Sequence, residues 1–357
     1  MSNASSSDPS PGAASPASSL ETVKPAVLLI GGITHVKKEW EECSSFAELK
    51  TFTGETREEF LKSCGDGSYS DVVAIYRSNE STSLTGPFDA ELVSKLPPSL
   101  KYICHNGAGY DNIDVAACTS RDIQVSHTPR AVNAATADIA IFLLLGALRR
   151  IHIPYAAIRA SKWRGPSPQL GYDPQKKVLG IIGMGGIGRE VAARARAFGM
   201  TIQYYNRSRL SADLEQGAKY VSFEELIKTS DVISLNCSLT KETTGLIGKK
   251  EFAAMKKGVI IVNTARGKLI DEQALVDALE EGKVFSAGLD VYEEEPKVNQ
   301  GLLDNPNVVL LPHIGTSTWE TQRDMELLVL ENLESAVRKG GLVTRVPEQQ
   351  SMNAVKN

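Results

Sequence analysis

The chain predicts an α/β fold of two doubly wound parallel-sheet units with a cleft between them, and three observations carry that prediction. Short apolar runs, each the length of one strand, alternate with helical stretches along almost the whole sequence. One of these runs, Val178 to Ile182, ends in Gly183-x-Gly185-x-x-Gly188, and Glu190 to Phe198 then reads as a helix. The chain has 357 residues, 42% of them hydrophobic, which is enough for two ordinary domains with a core each.

Val27 to Ile30 is the first strand, followed by Gly31-Gly32. Trp40 to Glu42 and Phe46 to Phe52 show no clear period. Thr56 to Cys64 suits a helix, because Thr56 can cap it and Glu58 and Glu59 fall in its first turn. Asp71 to Tyr76 is a second strand that ends at Arg77-Ser78-Asn79. Phe88 to Leu96 reads as a helix stopped by Pro97-Pro98. Leu100 to Cys104 is a third strand running into His105-Asn106-Gly107-Ala108-Gly109-Tyr110-Asp111, and Ile123 to Ser126 is a fourth. Asn133 to Arg150 is a long helix with an apolar stripe (Ile139, Phe142, Leu143, Leu144, Ala147, Leu148) that leads into the second unit. There, strands at Met200–Tyr205, Asp231–Leu235, Val259–Asn263, Ser286–Leu289 and Val308–Leu311 alternate with helices at Ser222–Lys228, Lys249–Met255 and Glu272–Glu281. Thr318 to Lys339 is a last helix, expected to return to the first unit. The expected domains are therefore 23–131 with 318–345, and 132–317. Residues 1–22, rich in Ser, Ala and Pro, read as a disordered tail, and 346–357 as a second tail.

The glycine run has a physical purpose in this context. Gly183 permits a tight turn, Gly185 lets backbone approach a pyrophosphate, and Gly188 lets the helix pack on the strand. The free N–H groups of that helix then face the anion, so the second unit reads as a Rossmann-like dinucleotide site. An NAD site usually carries Asp or Glu at the end of the next strand, for the ribose hydroxyls. Here the end reads Asn206-Arg207-Ser208-Arg209, with no carboxylate. Two guanidiniums and a hydroxyl suit a 2′-phosphate, so NADP(H) is favoured. NAD(H) stays open, because Asn206 can bond a ribose hydroxyl while the arginines sit in a solvated turn.

Net charge is −4, and no Lys/Arg block suggests nucleic acid. The longest apolar run, Ile139 to Leu148, is too short to span a bilayer. The five cysteines (Cys43, Cys64, Cys104, Cys118, Cys237) have no paired spacing, so a reduced, cytoplasmic chain is the simplest expectation. No secretory signal is recognisable, and the final residues are not a peroxisomal ending.

Ligands of open α/β sheets bind outside the carboxyl ends of the strands, and polar residues there stand out. Arg266, in Asn263-Thr264-Ala265-Arg266-Gly267, can bind a carboxylate through two bonds and polarise a carbonyl. Asp290 and Glu295 lie in Leu289-Asp290-Val291-Tyr292-Glu293-Glu294-Glu295-Pro296, where Glu293 and Glu294 suit a solvated loop. His313 follows Val308 to Pro312, with Gly315 behind it, and histidine is the usual proton donor near neutral pH. In the first unit, backbone N–H groups at Ala108 and Gly109 could cradle a carboxylate, with Arg77, His105 and Asn106 lining the same cleft.

The succession GxGxxG, NTARG, GLD-x4-EP, PHIG resembles the D-isomer-specific 2-hydroxyacid dehydrogenase family over about residues 25–345, most closely its fungal glyoxylate/hydroxypyruvate reductases, with D-mandelate dehydrogenases next. The resemblance implies catalytic Arg266, Glu295 and His313, with the backbone of Ala108 and Gly109 on the substrate carboxylate. Asn106 joins them as a candidate substrate contact, and Arg77 matches a substrate contact only in some members. Cofactor contacts are expected from Gly183, Gly185, Gly186, Ile187 and Gly188, from Asn206, Arg207, Ser208 and Arg209, and from Cys237, Thr264, Asp290 and Gly315. Trp163 resembles a dimer-arm tryptophan, and the family implies a homodimer. The reaction implied is NADPH-dependent reduction of glyoxylate or hydroxypyruvate by hydride transfer. His313 would donate the proton with Glu295 orienting it, and no metal is called for. The alternatives are an NAD-dependent D-mandelate or branched 2-hydroxyacid dehydrogenase, and a non-enzymatic dinucleotide-sensing corepressor.

Overall fold

The computed structural model of the protein describes residues 24–165 and 170–352. The expected N-terminal tail lies outside them. Among the described residues, twelve strands form two parallel sheets. The first contains β1 (Ala26–Ile30), β2 (Glu48–Thr51), β3 (Val72–Arg77), β4 (Tyr102–His105) and β5 (Gln124–Ser126), in the order β2-β1-β3-β4-β5. The second contains β6 (Val178–Ile182), β7 (Thr201–Tyr205), β8 (Lys219–Tyr220), β9 (Val232–Leu235), β10 (Val259–Asn263), β11 (Val284–Leu289) and β12 (Val308–Leu310). Its order is β12-β11-β10-β9-β6-β7-β8. Both orders are doubly wound, so the α/β class read from the sequence is the one the structure has.

The inner strands carry no polar alternation because helices cover both faces of each sheet. Every residue of β1 (AVLLI) and β10 (VIIVN) is buried. The edge strand β2 differs. Its residues, ELKT, are exposed or half-buried, so no period announces it, yet it pairs with β1 from Ala26↔Glu48 to Leu29↔Thr51. The helix Arg57–Gly65 begins where its cap predicts: Thr56 Oγ1 accepts from Glu59 N–H, and the Glu59 carboxylate accepts from Thr56 N–H.

Two helices tie the architecture together. Asn133–Arg149 lies across the second sheet with Leu143, Leu144, Ala147 and Leu148 in its core. Its close approach depends on Gly288, where a Cβ would come within 2.8 Å of Leu143. Phe142, read as part of the buried stripe, is instead 54% exposed. Trp319–Lys339, capped by Thr318, packs Val329, Leu330, Leu333 and Ala336 against Val27, Leu29 and Tyr76 of the first sheet. Its buried Glu326 accepts three backbone N–H groups, from Thr34 (2.9 Å), His35 (2.7 Å) and Val36 (3.1 Å). The reading of 346–357 as a tail is corrected over its first residues. Val346 N–H donates to Val125 O at 2.9 Å, and the buried Gln349 side chain accepts from Val125 N–H and donates to Ile123 O. A fully buried valine and amide hold this segment to β5.

Candidate active site

The glycine turn sits where the strand order reverses, between β6 and β9. Gly183 has φ +94°, and a Cβ there would lie 2.5 Å from the backbone N of Cys237, in the loop after β9. A Cβ on Gly188 would lie 2.5 Å from Gly183 O, and one on Gly186 would strike Asn133. A Cβ on Gly185 would meet nothing within 4 Å. Three glycines therefore keep the turn closed, while the fourth leaves open space at the N-terminus of the helix Gly186–Ala197. Thr264 Oγ1, at the end of β10, is buried without a hydrogen-bond partner in the protein. An open cradle at a helix N-terminus and an orphaned hydroxyl on Thr264, which lines the same cavity as Ile187 of that turn, fit a bound dinucleotide.

At the end of β7, Asn206 Oδ1 accepts from Met184 N–H at 2.7 Å, so this residue braces the glycine turn. Arg209 donates to both oxygens of Glu215, at 2.7 and 3.1 Å, and Tyr204 Oη donates to the same carboxylate. Arg207 and Ser208 are exposed. Part of the charge expected to await a phosphate is thus already answered, whereas Arg207 makes no salt bridge among the described residues and acts only through its charge on Glu242.

A cavity of about 330 Å³ separates the two sheets. Ala108 to Asp111 line it from the first unit, and Ile187, Cys237 to Thr240 and Thr264 to Arg266 line it from the second. Tyr110, Ile113, Val115 and Leu239 make part of its wall apolar. Burial pushes the Cys237 thiol up to about 11. Arg266 reaches across: its Nε donates to Asp111 Oδ1 at 2.8 Å, and Nη1 donates to Ala265 O at 2.7 Å. A Cβ on Gly109 would fall 1.9 Å from Arg266 Nη2, so only glycine admits the guanidinium there.

His313 Nδ1 and Glu295 Oε2 are 2.7 Å apart. Burial pushes the Glu295 carboxyl up, but the His313 hydrogen bond and charge, the Tyr292 N–H and the charge of Arg266 together hold the group below the ordinary carboxylate range. Tyr292 N–H donates to the other oxygen at 3.0 Å, so the carboxylate cannot swing away. Asp290 is 1% exposed, and its oxygens accept from Ile314 and Gly315 N–H, both at 2.8 Å. Burial raises its pKa against those bonds. Its visible role is to hold the loop that carries His313. Gly315 is confined by the same carboxylate, 3.2 Å from where its Cβ would be.

Three expected cleft residues lie elsewhere. Arg77, His105 and Asn106 are 0%, 1% and 5% exposed. They close the inner end of the first sheet instead of lining the cavity. The Arg77 guanidinium bonds His105 Nδ1 at 3.1 Å and Thr82 Oγ1 at 2.8 Å. Asn106 faces Tyr76. The β3 and β4 ends turn these side chains into the domain, and strand-end position alone does not say which way a side chain turns. Among the cavity residues not expected, two are charged. Asp111 closes a loop read for the backbone of Ala108 and Gly109 and the side chains of His105 and Asn106, and Glu348, which accepts from Tyr110 Oη at 2.9 Å, lies in the segment read as a tail. Trp163 is 70% exposed.

A chain built in this way is an NAD(P)-dependent oxidoreductase, and comparison with known proteins says of which kind. The model of the D-isomer specific 2-hydroxyacid dehydrogenase NAD binding domain matches residues 141–315. The 4-methyl-2-oxopentanoate reductase A of Aspergillus oryzae is 65% identical over 92% of this chain and 99% of that protein. A crystal structure of a glyoxylate reductase from Paecilomyes thermophila superposes with a TM-score of 0.90 at 64% identity, covering 92% of this chain and 99% of that one. An NADPH-dependent glyoxylate/hydroxypyruvate reductase from Sinorhizobium meliloti, in complex with NADP and malonate, gives 0.80 at 30% identity, covering 91% and 97%. The chain belongs to the D-isomer specific 2-hydroxyacid dehydrogenase family.

Proposed function

We propose that this chain uses NADPH to reduce 2-oxo acids to 2-hydroxy acids of the D series. Its substrates would run from glyoxylate and hydroxypyruvate to branched apolar acids such as 4-methyl-2-oxopentanoate. The observation that carries the chemistry is the 2.7 Å bond between His313 Nδ1 and Glu295, which leaves Nε2 of a half-exposed imidazole to serve a substrate. Arg266, held against Gly109, binds the carboxylate and polarises the carbonyl oxygen. The chemistry expected of the bound cofactor is hydride delivery to the carbonyl carbon. His313 Nε2 gives its proton to the developing alkoxide, and Glu295 answers the positive charge of the imidazolium and fixes the ring. In the oxidative direction His313 takes the proton back.

The branched end of the substrate range rests on the apolar wall of Tyr110, Ile113, Val115 and Leu239 and on the likeness to the Aspergillus reductase. The preference for NADPH rests on Arg207 and Ser208 at a β7 end without a carboxylate, and on the NADP-bound relative. A homodimer is supported by the exposed apolar residues between 142 and 172. A reducing, cytoplasmic setting is supported by five unpaired cysteines. Among the described residues no helix is long and apolar enough to cross a membrane.

The test is initial rates with glyoxylate, hydroxypyruvate and 4-methyl-2-oxopentanoate, each with NADPH and with NADH. Turnover of all three, with NADPH preferred at least tenfold in kcat/KM, is the expected result; that ratio corresponds to about 1.4 kcal/mol. NADH used equally well would leave Asn206 serving an NAD ribose and Arg207 as a surface residue. Rejection of the branched acid would confine the substrates to the small ones.

A further inference from the structure

The loop after β4 has an unusual backbone arrangement. Three consecutive carbonyls, of Gly107, Ala108 and Gly109, all accept hydrogen bonds from the first unit. Thr128 N–H donates to Gly107 O at 2.9 Å, His127 Nδ1 lies 2.9 Å from Ala108 O, and His105 Nε2 lies 3.1 Å from Gly109 O. A trans peptide points its N–H opposite to its C=O. The N–H groups of Ala108, Gly109 and Tyr110 must therefore point away from the sheet, and none of them finds an acceptor among the described residues. The same three residues line the cavity, and the Arg266 guanidinium lies against Gly109. Converging N–H groups beside a guanidinium make a receptor for a carboxylate.

Chemistry fixes the state of each ring. A carbonyl only accepts, so His105 must carry its proton on Nε2 and His127 on Nδ1. A guanidinium only donates, so the Nδ1 of His105 that faces Arg77 must hold a lone pair. His105 is thus neutral. Burial, then the charge of Arg77, depress its pKa to about 3. The fully buried Arg77, which makes no salt bridge among the described residues and feels a carboxylate only through the charge of Asp111, keeps the ring in the tautomer that donates to Gly109 O. A Cβ on Gly107 would lie 2.4 Å from His105 Nε2, so a glycine there gives the ring its path to that carbonyl. His127 is held in turn by Thr344, whose hydroxyl donates to His127 O at 2.6 Å and whose N–H donates to the buried Asn332 of the terminal helix.

We propose that His105 and His127 are positioning residues for substrate binding: each anchors one carbonyl of the Gly107–Gly109 loop, and so aims the Ala108, Gly109 and Tyr110 N–H groups at the carboxylate of the 2-oxo acid. The inference rests on the substrate reading above and extends it to two side chains that never touch the substrate.

The experiment compares H127F, which keeps a ring beside Tyr110 but removes the donor, with H127N, which restores an N–H near the Nδ1 position. H105F and H105Q form a second pair. H127F should raise KM for glyoxylate, and Ki for the non-reacting carboxylate oxalate, about tenfold while kcat changes less than about threefold, the pattern of lost ground-state binding. NADPH affinity by fluorescence should be unchanged, and H127N should recover most of the loss. Loss of kcat at unchanged KM, or no recovery in H127N, would overturn the proposal. Nitrogen-15 spectra of histidine-labelled protein test it without turnover. They should show one histidine held as the Nε2–H tautomer from pH 5 to 9, its signals lost in H105Q, and an Nδ1–H tautomer lost in H127N. The opposite tautomers would overturn the proposal even where an H105 variant fails to fold. Absence of turnover with every 2-oxo acid would instead remove the substrate reading and leave the loop geometry to the spectra and to oxalate binding.

Discussion

In the proposed mechanism most of the chemistry falls on His313, whose backbone is held in a costly conformation. Its φ is +56°, in the left-handed region that costs a non-glycine residue about 1–2 kcal/mol. Asp290 offsets that cost by taking Ile314 and Gly315 N–H on its two oxygens, and Glu295 then fixes the ring. Replacing His313 with Ala should lower kcat by about 10²- to 10⁴-fold, the usual worth of a positioned general acid. NADPH affinity, read by fluorescence, should stay within about twofold, because in the proposed mechanism the imidazole serves the substrate oxygen. Loss of cofactor binding alongside activity would assign His313 to the cofactor site instead. E295Q should have the milder kinetic effect and a distinct acid limb. The Glu295 carboxyl is held below its ordinary value, so its contribution to stability is present above the ordinary carboxylate range and lost as pH falls through the lower folded value. Tm of E295Q should therefore fall less than that of the unmodified chain over this window. At this scale the sequence located side chains just past strand ends, as at Arg266 after β10 and His313 after β12. It failed at Arg77 and Asn106, because the same rule cannot tell an outward from an inward turn, and their burial depends on packing from residues far along the chain.

Elements were legible in proportion to how strongly burial patterned them. β1, β6 and β10 are covered on both faces and read as unbroken apolar runs, and Thr56, Ser222 and Thr318 announce helix starts through their caps. β2 and the two-residue β8 were not legible, because an edge strand needs only one buried face or none. The segment from Val346 to Gln349 was missed for a related reason: its polar composition looks solvated, but Gln349 satisfies backbone groups around β5. The long helix shows the reverse case, an apolar residue left outside. Phe142, Ile151, Tyr155, Ile158, Trp163 and Leu170 are each at least half exposed and fall within one stretch of sequence. This exposed apolar surface is the ground for the proposed homodimer, because apolar surface left to solvent favours an interface and a second copy of the chain is the partner that symmetry favours. Light scattering on a sizing column should give twice the 38.6 kDa chain mass. The double substitution Y155D/I158D should move the protein toward the single-chain mass. A single-chain mass for the unmodified protein at micromolar concentration would exclude the homodimer.

Across the whole molecule, each sheet has its own core, and the cleft between them is bridged by Arg266 and Asp111. Both side chains are partly exposed, 28% and 30%, so the pair is worth no more than about 1 kcal/mol to stability. Its importance lies in direction. With Nε on Asp111 and Nη1 on Ala265 O, the guanidinium plane is fixed and Nη2 is laid over Gly109, beside the N–H groups of the loop. Asp111 thus couples the unit that carries the Gly107–Gly109 loop to the unit that carries the glycine turn. Replacing it with Ala frees the guanidinium, and kcat/KM for glyoxylate should fall about 10- to 100-fold, as expected when an orienting contact of a charged group is lost. D111N retains a side-chain oxygen that can accept from Nε, and should lose less. Tm should move little in either variant, and NADPH affinity should not change. A large drop in Tm with kcat/KM unchanged would make the pair a structural strut. Equal losses in D111A and D111N would mean that the negative charge, and not the geometry it imposes on Arg266, is what the cleft requires.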